Sequence, residues 1–134
     1  MNLTDLPKNE DWDNWDVVLS GTEYSYYEGA TAVGIFGAAV GDITAERITR
    51  VDLWYATSPE GYASIDFVCL VELTDGTWAT CVAWADTTGW DCRSGIAWKV
   101  AATRDEAIRL GLDKASRAQL GVPLPGEADE DGAR

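Results

Sequence analysis

Residues 67–95, FVCLVELTDGTWATCVAWADTTGWDCRSG, decide the fold. One apolar run meets Thr74-Asp75-Gly76-Thr77 and a second leaves it, the pattern of a β-hairpin followed by a tight, Trp-bearing connector. Two registers are open. With Asp75-Gly76 as a two-residue type I′ loop, Leu73 opposes Trp78 and Cys69 opposes Val82, so Cys69 and Cys81 face opposite sides of the sheet. With a three-residue loop, Thr74-Asp75-Gly76, and Gly76 in a G1 bulge, Cys69 lies directly across from Cys81, and only that register permits a disulfide. The two-residue loop is the favoured reading because it stacks Leu73, Val71 and Phe67 against Trp78 and Trp84 on one face.

Working outward, TRVDLWYAT at 49–57 has the β-branched and aromatic content of a strand, and Ser58-Pro59-Glu60-Gly61 has the residues of a turn. Strands at 49–57, 62–73, 77–85 and 96–100, joined by short connections, predict a sequential antiparallel meander. FVCLV and CVAWA are apolar on both faces, so helix must cover one face and the N-terminal segment or a partner the other. The helix is signalled by Thr103-Arg104-Asp105-Glu106, a capping box, with Ala107, Ile108 and Leu110 on its apolar side and Gly111 as its stop. Asp113 caps a second helix over 114–120 that ends at Gly121. The small residues Ala79, Cys81 and Ala83 share a strand face that would let these helices approach closely. The expected class is α+β: an antiparallel meander sheet of about four or more strands with two short C-terminal helices packed on one face.

A chain of 134 residues with 46% hydrophobic residues fits one domain with a true core. The expected organisation is an acidic, Trp-containing N-terminal segment at 1–20, a single α+β domain at 21–122, and a disordered acidic tail at 123–134, where GEADEDGAR is too polar to bury. The formal net charge is −13. Five acids against Lys8 between Asp5 and Asp16, and four against Arg134 from Glu127 onward, account for most of it. Removing those nine acids and two bases from totals of 23 and 10 leaves 14 and 8, a net −6 for the middle. This balance disfavours direct binding to nucleic acid, which needs clustered Lys and Arg, and favours a basic partner or simple solubility. The longest uncharged apolar run, around 30–40, is broken by glycines and is too short to span a bilayer. The first residues lack the basic region and apolar core of a secretory signal, so a cytoplasmic location is expected.

There are no histidines and three cysteines, Cys69, Cys81 and Cys92, without CxxC spacing. The commonest general base and the commonest transition-metal ligand are therefore missing, which argues against an enzyme. Gly29, Gly34, Gly37 and Gly41 form neither a phosphate loop nor a dinucleotide fingerprint. Asp86, Thr88 and Asp91 lack the spacing of a calcium loop. No cofactor or metal is expected. In the connector, Gly89 and Gly95 are read as turning the chain, Trp90 as plugging the end of the sheet beside Asp91, and Cys92 as a small buried hydrophobe rather than a thiolate activated by Arg93.

The candidate binding surface is aromatic. In EDWDNWDVVLS, Trp12, Trp15 and Val18 or Leu19 fall at helical spacing with acids between, as a short helix or turn, with a strand beginning at Trp15 as the alternative. Tyr24 and Tyr26 alternate with Glu23, Ser25 and Tyr27 as in an edge strand, and 32–36 reads as another. Seven Trp and five Tyr exceed what one small core readily buries. Trp12, Trp15, Tyr24, Tyr26 and Tyr27 are thus the candidate partner-binding residues, because Trp and Tyr dominate interface energetics. For Trp12 and Trp15 the competing reading is that they fold back on the domain's own core.

DGTW at 75–78, TGWDCRSG at 88–95 and the Thr-capped helix ATRDEAIRLGL, in that order, resemble small uncharacterised proteins of actinobacteriophages and their hosts. The likeness covers about 75–121, with Tyr26-Tyr27-Glu28-Gly29 as a further match, while 30–66 departs from the pattern. It implies a shared fold and a phage origin and carries over no catalytic residue. The expected function is a non-catalytic, protein-binding accessory or inhibitor acting on a bacterial host protein in the host cytosol. A DNA mimic that inhibits a DNA-binding protein and a structural or assembly protein of a virion are the alternatives.

Overall fold

A computed structural model describes residues 1–7, 15, 18–19, 42–57, 64–86 and 93–127. Four strands, β1 (Ile48–Thr57), β2 (Ser64–Leu73), β3 (Trp78–Asp86) and β4 (Arg93–Ala101), form one antiparallel sheet in the order β1-β2-β3-β4. Two helices follow, α1 (Arg104–Gly111) and α2 (Lys114–Leu120). The class is the α+β meander with C-terminal helices on the sheet that the pattern of strands and caps predicts.

The hairpin register is the one the sequence reading ranked second. Cys69 pairs with Cys81 and Glu72 with Trp78. Leu73 N–H donates to Thr77 C=O at 2.8 Å and Gly76 N–H to Leu73 C=O at 3.0 Å, enclosing a three-residue loop with Gly76 at φ 87°. Two local bonds favour this loop: Asp75 Oδ1 accepts from Thr77 N–H at 3.0 Å and from Thr77 Oγ1 at 2.5 Å. Gly76 needs no Cβ in that left-handed conformation, and the bulge absorbs the extra residue.

That shift of one residue reassigns the faces. Phe67, Cys69, Val71 and Leu73 of β2 lie with Ala79, Cys81 and Ala83 of β3 in one core cluster. Val68 and Leu70 lie in the other, with Trp78 and Val82 packed against it. Trp78 and Trp84 are therefore across the sheet from Phe67, not stacked on it. The helices pack on the Val68/Leu70 face, α1 chiefly against β3 and β4 and α2 against β1 and β2. The Ala79/Cys81/Ala83 stripe, expected beneath the helices, instead shares a core cluster with Leu6, Trp15, Val18 and Leu19 of the N-terminal segment and with Ile43. Leu6, Trp15, Val18 and Leu19 thus contribute to the domain's core.

Both helix starts follow their caps: Thr103 Oγ1 accepts from Glu106 N–H at 3.2 Å and Asp113 Oδ1 from Ser116 N–H at 2.8 Å. Gly121 ends α2 in the left-handed region at φ 74°. Gly111 ends α1 as expected and also permits a close contact. It is the last residue of α1, and a Cβ there would collide with Thr80 Oγ1 and lie 3.1 Å from Thr80 Cβ and 3.2 Å from Lys99 Cβ. Glycine lets the end of α1 rest directly on β3 and β4. Thr80 is fully buried beneath it, and its hydroxyl has no hydrogen-bond partner.

The C-terminal segment also differs from expectation. Residues 123–127 of the expected disordered tail are placed, with Val122 and Leu124 packed against the helix-side cluster. Residues 128–134 lie outside the described residues, as do the expected strands at 24–28 and 32–36.

The contact beneath α1 predicts a specific coupling. Gly111→Ala should destabilise the fold by about 1–3 kcal/mol through overpacking. Thr80→Ala should recover part of that loss in the double variant, because it removes the atom that the new methyl meets. Urea unfolding of the four-member cycle measures the coupling; additive effects would show that α1 does not seat on Thr80.

Candidate functional site

Of the aromatic residues singled out in the sequence, Trp15 is placed, and it is core. It is 1% exposed, its ring meets Phe67 edge-on with centroids 4.8 Å apart, and its Nε1 donates to Pro7 C=O at 2.7 Å. Val18 and Leu19 N–H groups both donate to Trp15 C=O, at 2.9 and 3.1 Å, so the helical spacing is realised as one tight turn. Trp98 of β4 donates from Nε1 to Val18 C=O at 2.7 Å and ties this turn to the sheet. Trp15 is therefore removed from the candidate binding residues: an indole with its ring packed and its N–H satisfied offers a partner nothing. Trp12, Tyr24, Tyr26 and Tyr27 lie outside the described residues.

The connector motif is placed at its last residue. Trp90, Asp91 and Cys92 lie outside the described residues, whereas Gly95 sits within β4, opposite Trp84. Gly95 does not turn the chain, as the sequence suggested. A Cβ there would stand 2.8 Å from Trp84 Nε1, so the missing side chain lets the indole pack closely beside Gly95. Trp84 is 44% exposed and is thus a surface tryptophan with part of its ring against the neighbouring strand. The sequence offered a signal for this pair, a glycine interrupting a strand, but it was legible only once the register set Trp84 opposite Gly95.

Asp52, Glu72, Asp75, Asp113 and Glu127 are engaged in local structure. Asp52 accepts from Arg104 at 2.7 Å and from Arg50 at 2.8 Å. Arg50 also reaches Glu72 at 3.1 Å and lies over the Trp78 ring, 5.4 Å from its centroid. Partial burial pushes the Asp52 carboxyl up, but the hydrogen bonds from Arg104 and Arg50 hold it below its ordinary range. This cluster fastens the start of α1 to β1 and places positive charge among the negative. On the opposite side of the helices, Arg117 is 8% exposed and donates to Leu112 C=O and, through two nitrogens, to Glu127. Glu127 also accepts from Leu124 N–H at 3.0 Å. The resulting clasp holds the segment after α2 against the turn between the helices. Nothing local in the sequence pairs residues ten apart across a Gly-Val-Pro turn, so it went unforeseen.

Cys69 and Cys81 are free thiols, both fully buried. Burial is the main cause that pushes both well above the usual thiol range, and for Cys81 the facing Cys69 adds to it. Neither is a nucleophile at neutral pH in the folded chain. Among the described residues no group of three or more Cys, Asp or Glu is arranged to hold a metal ion, and no helix is long and apolar enough to cross a membrane. Comparison with protein-family models, with curated proteins and with solved structures finds no match to this chain.

Two outcomes follow from this geometry. Trp15→Ala should cost about 3–5 kcal/mol in urea unfolding, as expected for a large aromatic removed from a core; wild-type stability would show that Trp15 is not buried in solution. Hydrogen bonds from Arg117 and from Leu124 N–H hold the Glu127 carboxyl below its ordinary range. A carboxyl with a depressed folded pKa contributes stability above its unfolded value of about 4.3, and that contribution is lost as pH falls through the folded value. Glu127→Gln should therefore lower the thermal midpoint at pH 7, and the difference from the wild type should shrink as pH is lowered below the ordinary carboxylate range toward the depressed folded value.

Proposed function

We propose that this protein is a non-catalytic, phage-encoded module that binds a protein of the bacterial host in the cytosol, as an accessory or inhibitor. The observation that carries the reading is Trp84, a large indole 44% exposed and packed beside Gly95. A surface tryptophan already packed against its own strand loses less conformational freedom on docking than an unsupported one, and tryptophan is among the residues that dominate interface energetics. Trp84 adjoins the connector that carries TGWDCRSG, the stretch on which the resemblance to actinobacteriophage proteins largely rests. Trp12, Tyr24, Tyr26 and Tyr27 remain proposed as further contacts.

The chemistry of the described side chains favours binding over catalysis. Asp52, Asp75, Asp113 and Glu127 are occupied by ion pairs, turns and caps, and the two placed thiols are in the core. DNA mimicry is the weaker alternative because Arg50 and Arg104 are interleaved with Asp52 and Glu72, breaking the negative surface where the structure shows it.

Quantitative capture of host proteins from a bacterial lysate, followed by titration of the retained protein, tests the reading. Trp84→Ala should weaken binding about tenfold or more, equivalent to about 1.4 kcal/mol, with an unchanged thermal midpoint, and binding should persist at salt that screens surface charge. Binding that vanishes with salt and ignores Trp84 would shift the assignment to the DNA mimic. Retention of no protein at all would remove the host-binding reading.

A further inference from the structure

The three-residue hairpin loop brings together two buried free thiols. We propose that Cys69 and Cys81 are a latent dithiol that closes into a cross-strand disulfide, a lock on the β2–β3 hairpin, by exchange with a small-molecule disulfide such as oxidised glutathione. The inference rests on register and burial and is independent of any partner.

Cys69 and Cys81 are direct partners across β2 and β3 and point into the same core cluster. Leu73 N–H donates to Thr77 C=O at 2.8 Å, and hydrogen-bonded pairs recur at every second position of an antiparallel ladder. Val71 with Ala79, and then Cys69 with Cys81, occupy such positions. Cα atoms at such a pair are about 5.5 Å apart, within the span of about 4.4–6.8 Å that disulfides bridge. The Cβ atoms must draw together somewhat from the usual cross-strand separation of about 4.5–5.5 Å. Ala79 and Ala83 flank Cys81 on the same face and present little bulk against that movement. A shift of one residue in the loop would send the two sulfurs to opposite faces, so the alignment depends wholly on the Gly76 bulge.

The exchange balances in two steps. One cysteine, as thiolate, attacks the small disulfide, forming a mixed disulfide and releasing one small thiol. The second cysteine then attacks the protein sulfur of that bond, forming the intrachain disulfide and releasing the second small thiol. The protons of the two protein thiols end on the two small thiols, and the small disulfide is reduced as the protein is oxidised. Both sulfurs are fully buried in the folded chain, so the first attack requires the hairpin to open. A reducing cytosol keeps the pair as thiols, and an oxidising medium closes it when the hairpin samples its open form.

The test uses the full reduced chain incubated with oxidised glutathione, with and without urea below the unfolding midpoint. Intact-mass measurement should show the loss of two hydrogen atoms, peptide mapping should join Cys69 to Cys81, and the reaction should be faster in urea. The oxidised chain should melt roughly 5–10 °C higher, reversibly with dithiothreitol. Cys81→Ala should instead leave a mixed disulfide on Cys69, and Cys69→Ala one on Cys81, which keeps the test open if either variant folds poorly. Mixed disulfides on the wild-type chain without ring closure, closure through Cys92, no oxidation even in urea, or a lower melting point after closure would each overturn the proposal.

Discussion

The bulge at Gly76 is the constraint on which the other contacts rest. Strand side chains alternate with period two, so one extra residue in the loop decides which half of β3 faces which layer. With Gly76 in the left-handed region, Ala79, Cys81 and Ala83 turn toward the N-terminal segment, and Trp78, Thr80, Val82 and Trp84 toward the helix side. The first set is small and leaves room for Trp15 and Trp98. The second includes Thr80, on which Gly111 lands, and Trp84, which covers Gly95. With the opposite register, the N-terminal segment would meet the bulky set and α1 the small one, and neither layer would fit as it does.

The strand order and helix caps were legible because they depend on local signals: alternating β-branched and aromatic runs, turn residues at 74–77, Thr103 with Glu106, Asp113, and Gly121. The register was not, because Asp-Gly suits a two-residue loop as well as a three-residue one. What separated them was the Asp75 side chain binding Thr77 and the burial of residues far away in sequence. Gly111 was legible as the end of α1, but its close seat on Thr80 was not, because that contact depends on which face of β3 meets the helix. Trp15 was ambiguous for another reason. Its spacing with Val18 and Leu19 defines an apolar face but does not say what that face covers, and the answer came from Phe67 and Trp98, 52 and 83 residues away.

Charge plays a different part at each end of the helices. At the start of α1, Arg50, Asp52, Glu72 and Arg104 form an exposed lattice in which each pair is screened and contributes modestly. After α2, Arg117 is withdrawn from water and satisfied by a carbonyl and a carboxylate. A buried guanidinium left without its carboxylate is costly, so the clasp is better understood as a requirement of Arg117 than as an added attraction. The acidic residues beyond Glu127 begin from this fixed point on the domain surface.

The bond from Trp98 Nε1 to the carbonyl of Val18 spans 80 residues of chain. Synthesis on the ribosome produces the Trp15 turn long before β4, so the largest side chain of this core must wait while most of the sheet is made. Long-range contacts of this kind slow folding, because the intervening chain must be ordered before they repay its closure. The β2–β3 hairpin, closed by a three-residue loop, can form from local contacts once β3 has been made. The layer containing Trp15 can be sealed only after β4 has emerged, which makes Trp15, Val18 and Leu19 among the last residues to reach their final packing.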